Sequence, residues 1–231
     1  MAKMLWYRRS GMSHIRPMTE VTSAYDQWAR TYETVENATR DLAAAVLRHY
    51  PLHLHDRDVL ETGCGTGLNT TYLAPQSRSV LGVDASAGML AQARTRVIAP
   101  RVRLAQCDLQ QAWPLAAASV DLVVCLLVLE HIADLPMFFQ EAARVLRPGG
   151  ECFVCELHPF RQLQGRQARF TEAKSGQVVL IPAYLHDVSE YVNASVQHGF
   201  VLLRMDEWRD AHDTAHTLPP RLLSLHLRVP S

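Results

Sequence analysis

The stretch LETGCGTG, residues 60–67, puts glycine at 63, 65 and 67, directly behind an apolar run. Glycine inside a strand or helix costs roughly 0.5–1 kcal/mol relative to alanine. Three at alternate positions therefore mark a place where something passes close to the backbone. One acid, Glu61, lies two residues before the first glycine, and another, Asp84, closes the next apolar run, SVLGVD. A glycine-rich turn between the first strand and first helix of an α/β unit is a nucleotide-type site. A dinucleotide site asks for G-x-G-x-x-G, with its third glycine where the helix packs on the strand. That position is Leu68 here, and no Walker-type lysine follows the glycines.

Four histidines offer acid–base chemistry near neutral pH. His131 follows the fourth apolar run, His158 follows the fifth, His186 opens a later helix, and His14 sits in the N-terminal arm. Arg161, Arg166 and Arg169 lie together in ELHPFRQLQGRQARF. Arginine forks grip carboxylates and phosphates in bidentate fashion, so these residues suggest a substrate with an anionic group. Two patterns imitate metal sites. Cys152 and Cys155 have CxxC spacing but fall in a strand, where residues three apart point to opposite faces. His212 and His216 are four apart but lack a helical pattern and are followed by Pro219 and Pro220. No metal is expected.

Helices and strands must position these groups. TSAYDQWARTYE reads as a first helix, capped by Thr22 or Ser23, with Tyr25, Trp28 and Tyr32 on one face. ATRDLAAAVLRHY is a second, closed by Pro51. Strands then follow at 58–62, 79–84, 102–108, 120–127 and 151–157. Helices are predicted between them, through about Leu73 and over 87–97 and 135–146, the last stopped by Arg147-Pro148-Gly149-Gly150. This alternation predicts a parallel sheet with helices on both faces. The strands are continuous apolar runs, as such burial requires.

Residues 158–185 are polar and show no clear period. A helix over 187–198 ends at Gly199, and FVLLRMDEW and RLLSLHLRV form a last antiparallel pair. The chain thus divides into an N-terminal helical lid (1–50), a ligand-binding core (51–157), a substrate-lid insertion (158–185) and a C-terminal part (186–231) that completes the same sheet. The insertion has the length of a lid, not of a connector.

Five segments in order carry a resemblance. VLETGCGTG, VLGVDAS, CDL at Asp108, DLVVCLLVLEHI and RVLRPGGECFV are similar to the successive motifs of the class I S-adenosylmethionine-dependent methyltransferases. YDQWARTYE resembles the helix that covers the cofactor in small-molecule members. The resemblance implies a Rossmann-like doubly wound sheet of seven strands, mostly parallel, with an antiparallel last strand. It also implies S-adenosylmethionine as cofactor and S-adenosylhomocysteine as product.

The implied roles fall on individual residues. Gly63, Cys64, Gly65 and Gly67 bring backbone to the methionyl part and the ribose. Glu61 holds the amino acid end, and Asp84, with Ala85, takes the ribose hydroxyls. Asp108 and Leu109 meet the adenine, and Met89 packs on it or on the sheet. Cys125 and Leu126 present carbonyls to the methionyl amino group. Tyr25 and Tyr32 cover the cofactor, and Trp28 and Arg161 face the acceptor.

Methyl transfer from a sulfonium needs the nucleophile held in line, and in some cases a base to deprotonate it. His158 is the first candidate, with His131 and His186 next. The expected function is methylation of O, N or C on a small molecule. The alternatives are an RNA or protein methyltransferase, or a module that binds the cofactor without turnover. Lys+Arg and Asp+Glu both number 23, so the basic excess of a nucleic-acid binder is missing. CLLV stands where amino-methylating nucleic-acid enzymes carry an NPPY-like tetrapeptide. No apolar run approaches the roughly 18 residues of a membrane span, and the N-terminus lacks a secretory apolar core. Five scattered cysteines fit reduced thiols. The expectation is therefore a cytoplasmic monomer or homodimer.

Overall fold

The computed structural model describes residues 18–172 and 175–231; His14 lies outside them. Two helices come first, α1 (Met18–Trp28) and α2 (Ala38–His49). The Asn37 side chain caps α2 by accepting from the amides of Thr39 and Arg40. The alternating core follows: β1 (Asp58–Thr62), α3 (Thr70–Leu73), β2 (Ser79–Asp84), α4 (Ala87–Arg96), β3 (Val102–Gln106), β4 (Val120–Leu126), α5 (Leu135–Val145) and β5 (Leu146–Leu157). Asp134 caps α5, which buries Leu135, Phe138, Phe139, Ala142 and Val145 along one face. Then come α6 (Pro159–Leu163), β6 (Arg169–Thr171), β7 (Val178–Leu180), α7 (Val188–Gln197), β8 (Val201–Trp208) and β9 (Leu222–Arg228).

Seven strands form one sheet in the order β3-β2-β1-β4-β5-β9-β8. The first five are parallel, and β9 runs antiparallel to both β5 and β8. This is the expected doubly wound sheet with its antiparallel last strand. One core holds Leu60, Phe138, Phe139, Cys152 and Tyr191; a separate one holds Leu47, Val59, Tyr50, Phe153 and Cys155. Cys152 and Cys155 therefore serve different cores, as their strand spacing requires.

Several boundaries differ from the sequence reading. Helix α1 begins at Met18 and ends at Trp28, so Thr22 and Ser23 are inside it and Tyr32 stands in the turns that follow. Arg147-Pro148-Gly149-Gly150 does not separate helix from strand but lies inside β5. There the pairing on β4 jumps from Val120↔Leu146 to Leu122↔Glu151, a bulge that absorbs the extra residues. Gly149 donates to the Pro230 carbonyl and Val229 to that of Gly150, so the chain's last residues fasten this stretch. Residues 158–185 contain α6 and the β6–β7 hairpin, elements too short to leave a period.

The hairpin packs on α1 through a small cluster of Val21, Ala24, Trp28, Phe170 and Ile181. The Trp28 and Phe170 rings stack at 5.5 Å with 15° between planes. α1 is also tied to the sheet layer. Asp26 accepts from the Ser86 hydroxyl at 2.6 Å and from the Gly88 amide at 2.8 Å. Among the described residues no helix is long and apolar enough to cross a membrane.

Candidate active site

β1 and β4 are neighbours, although β4 follows β3 in the chain. Strand order reverses between them, and a crevice opens at their carboxyl ends. The glycine turn after β1 sits there, and each glycine serves differently. Gly63, at φ +64°, has no room for a side chain: a Cβ would lie 2.3 Å from Val128 Cγ2. Gly67, at φ +80°, packs against α4, where a Cβ would come within 2.7 Å of Val97. Gly65 has φ +54° but nothing within 4 Å of the Cβ position. Its empty side is part of a cavity of about 920 Å³ counting the open mouth.

Asp84 lines this cavity from the end of β2. Its two carboxylate oxygens accept from the Gly65 amide at 2.9 Å and the Ser86 amide at 2.8 Å. A carboxylate has about four acceptor positions, so Asp84 retains capacity for two further donors. Burial raises its pKa, and the two amides oppose the shift. Glu61 does not line the cavity. It is buried and accepts from the Thr70 hydroxyl at 2.5 Å, bracing the turn onto α3. Burial pushes its carboxyl up to about 8.

Of the other residues singled out for the cofactor, Cys64, Ala85, Met89, Leu109, Leu126, Tyr25 and Tyr32 line the cavity. Gly67, Asp108 and Cys125 do not. Asp108 accepts from the Gln110 amide at 2.9 Å, a local turn that turns the chain after β3. Cys125 is fully buried, its sulfur 3.7 Å from Glu156. The sequence reading missed Ser86, Asn69, Arg40 and Val128, all of which line the cavity. Ser86 had a signal: it caps α4 by accepting from the Met89 amide, a spacing typical of caps. Arg40 had none. It reaches the cavity because its guanidinium donates to the carbonyls of Tyr32 and Val35, fixing the turns after α1.

The histidines separate. His131 lines the cavity. Its Nδ1 lies 2.8 Å from the Pro182 carbonyl and its Nε2 lies 2.9 Å from the Tyr25 hydroxyl. A carbonyl only accepts, so Nδ1 of the neutral ring carries the proton and Nε2 accepts from Tyr25. His158 and His186 line neither this cavity nor the one beside it. His158 caps α6, accepting from the Phe160 amide through Nδ1, while Nε2 meets Glu207 at 3.1 Å. His186 is buried, with Nε2 2.7 Å from the Ile132 carbonyl. The chain leaves β5 toward β9, where the His158 amide donates to the Arg221 carbonyl, and this carries the ring away from the crevice. His158→Ala is therefore expected to lower stability by about 1 kcal/mol, the scale of a lost cap, without changing turnover. Urea unfolding beside initial rates checks this.

A second cavity of about 1,850 Å³, counting open solvent, adjoins the first. α1, the start of α2 and the β6–β7 hairpin enclose it, and Trp28 and Arg161 both line it. Tyr25, Tyr32 and Leu127 line both cavities. Leu127 has φ +58°, a costly conformation for a branched side chain. The buried Glu156 carboxyl steadies the same turn by accepting from the Val128 amide at 3.1 Å. Strained backbone of this kind gathers where ligands are held.

Residues 60–154 match the family described as Methyltransferase domain. The chain is 30% identical over 224 residues to an uncharacterized methyltransferase of Emericella nidulans, covering 81% of this chain and 78% of that protein. It is 34% identical over 139 residues to the biotin biosynthesis bifunctional protein BioHC of Cellvibrio japonicus; these are 60% of this chain and only 27% of that protein. Among solved structures, DhpI in complex with SAH has a TM-score of 0.70 at 23% identity, covering 92% of this chain and 97% of that one. That is a likeness of fold.

Proposed function

Since the chain belongs to the S-adenosylmethionine-dependent methyltransferases, we propose that it methylates a small molecule lodged in the second cavity. The observation that carries this reading is the sharing of Tyr25, Tyr32 and Leu127 by the two cavities. One chamber suits the cofactor, the other an acceptor, and they meet where transfer would occur. The residues present fit the cofactor. Asp84 has acceptor capacity for a pair of hydroxyls, Gly65 leaves its side of the turn empty, and Met89, Leu109 and Ile132 give an apolar lining. When bound, S-adenosylmethionine supplies an activated methyl group on a sulfonium.

The protein's own part is to cover, orient and take a proton. α1 and the hairpin act as the cover, latched by Asp26 to the start of α4. The Tyr25 hydroxyl stands at the junction, with His131 Nε2 behind it. Burial holds the Tyr25 phenol well above its ordinary pKa, so a free tyrosinate is disfavoured. A relay avoids it: Tyr25 accepts the acceptor's proton as it gives its own to His131. The buried, unpaired thiols fit a reducing cytoplasm.

The test is transfer of label from methyl-labelled S-adenosylmethionine into the small-molecule filtrate of a cell extract. Label in filtrate compounds is the expected result. Label confined to RNA or protein overturns the small-molecule reading, and cofactor binding with no label anywhere makes the protein a non-catalytic module. Tyr25→Phe should lower turnover at least about tenfold. That is less than the 10²–10⁴ of a full general base, because His131 remains.

A further inference from the structure

The second cavity has an unequal charge distribution. Arg161, Arg166, Arg169 and Arg221 line it, against Glu36 and Glu130. Glu130 is buried, its carboxyl is pushed up by that burial, and the Gln162 side chain donates to it at 3.3 Å. Two of the arginines are already engaged. Arg221 grips Asp210 with two nitrogens at 2.5 and 2.8 Å. Arg161 meets the same carboxylate at 3.3 Å and donates to the Pro219 carbonyl at 2.9 Å. Arg161 thus fastens the loop between β8 and β9 while lining the cavity.

Arg166 and Arg169 differ. Both are exposed, and among the described residues neither side chain has a hydrogen bond or an ion pair. They stand close in the chain at the start of the hairpin and line the cavity, Arg169 on the face of β6 opposite the buried Phe170. Trp28 and Phe170 are buried against each other, while the half-buried Tyr25 and Tyr32 turn aromatic surface to both cavities. A flat apolar body fits such a wall. Two unpaired guanidinium forks in the same lining suit an oxyanion, which accepts from them in bidentate fashion.

Resting on the reading that this cavity holds the acceptor, we infer that the acceptor carries a carboxylate or phosphate group, read by Arg166 and Arg169, on a flat apolar body held against Tyr25 and Tyr32. The occupied pair Arg161 and Arg221 builds the wall, and the unpaired pair selects the substrate.

The test is calorimetry on protein saturated with S-adenosylhomocysteine, using 2-naphthoate, 2-naphthyl phosphate and the neutral 2-naphthamide as probes. At least one anion should bind at least about tenfold more tightly than the amide, and which anion wins tells carboxylate from phosphate. Arg166→Ala and Arg169→Ala should each weaken the anions by about tenfold, the scale of one charge-assisted contact. Both should leave amide and S-adenosylhomocysteine affinities unchanged, and Arg166→Lys should fall between. Equal binding of charged and neutral probes overturns the inference, as does the absence of binding by all three or no effect of either alanine. If S-adenosylhomocysteine itself fails to bind the unaltered protein, the methyltransferase reading falls first and takes this inference with it.

Discussion

Asp84→Ala is expected to weaken S-adenosylhomocysteine binding by about 100-fold or more. A hydrogen bond to a charged group contributes about 1.5–3 kcal/mol, and two facing a pair of hydroxyls reach the roughly 3 kcal/mol that 100-fold represents. A second loss adds to this. The Asp84 carboxylate accepts from the Gly65 and Ser86 amides, so the variant also frees the glycine turn and the start of α4. Asp84→Asn separates the two contributions. Its amide oxygen still accepts from one of those two donors, so one of the two turn bonds is kept while the charge is gone. Calorimetry on both variants should place Asn between Ala and the unaltered protein. Normal affinity in Asp84→Ala would mean that the cofactor binds elsewhere.

A larger effect on the fold is expected at Gly63. An L-residue in the left-handed region costs roughly 1–2 kcal/mol, and forcing a methyl group into filled space costs about 1–3 kcal/mol more. Gly63→Ala incurs both, since its Cβ would meet Val128 Cγ2 at 2.3 Å. Urea unfolding should show a loss of roughly 2–5 kcal/mol, together with loss of cofactor binding. Gly65→Ala incurs only the backbone cost, because nothing lies within 4 Å of its Cβ position. Its stability should fall by roughly 1–2 kcal/mol, while cofactor affinity suffers because the methyl enters the cavity. Adding Val128→Ala to Gly63→Ala should recover part of the lost stability, since the clash is with the valine side chain. Equal stability of Gly63→Ala and Gly65→Ala would show that the contact with Val128 relaxes freely.

The two sets of glycine and histidine positions show what sequence spacing does and does not carry. Gly63, Gly65 and Gly67 form one motif in the chain, yet only at Gly65 would a side chain meet open space, while the outer two are pinned by Val128 and α4. His131, His158 and His186 look equivalent as groups that follow strands or open helices. Only His131 turns into the cavity, because the Pro182 carbonyl and Tyr25 hold both of its ring nitrogens there. His158 turns away because it follows directly on the strand that pairs with β9 and caps its own short helix.

The order of strands and helices and the placing of Asp84 at the end of β2 were legible in the chain, and the doubly wound topology was implied by the resemblance. They rest on local signals: apolar period, caps, and glycines at positive φ. The bulge in β5, the hairpin in residues 158–185 and the end of α1 at Trp28 were not, because short elements are stabilised by distant partners rather than by their own pattern. The same holds for the site's second half. Asp26 finds Ser86 across 60 residues of chain, Arg161 finds Asp210 across 49, and Trp28 finds Phe170 across the cover. Which arginine is engaged and which is left to meet a substrate depends on those pairings. Local sequence therefore determined the order of elements and the glycine turn, and only tertiary packing decided the second cavity, whose walls come from segments far apart in the chain.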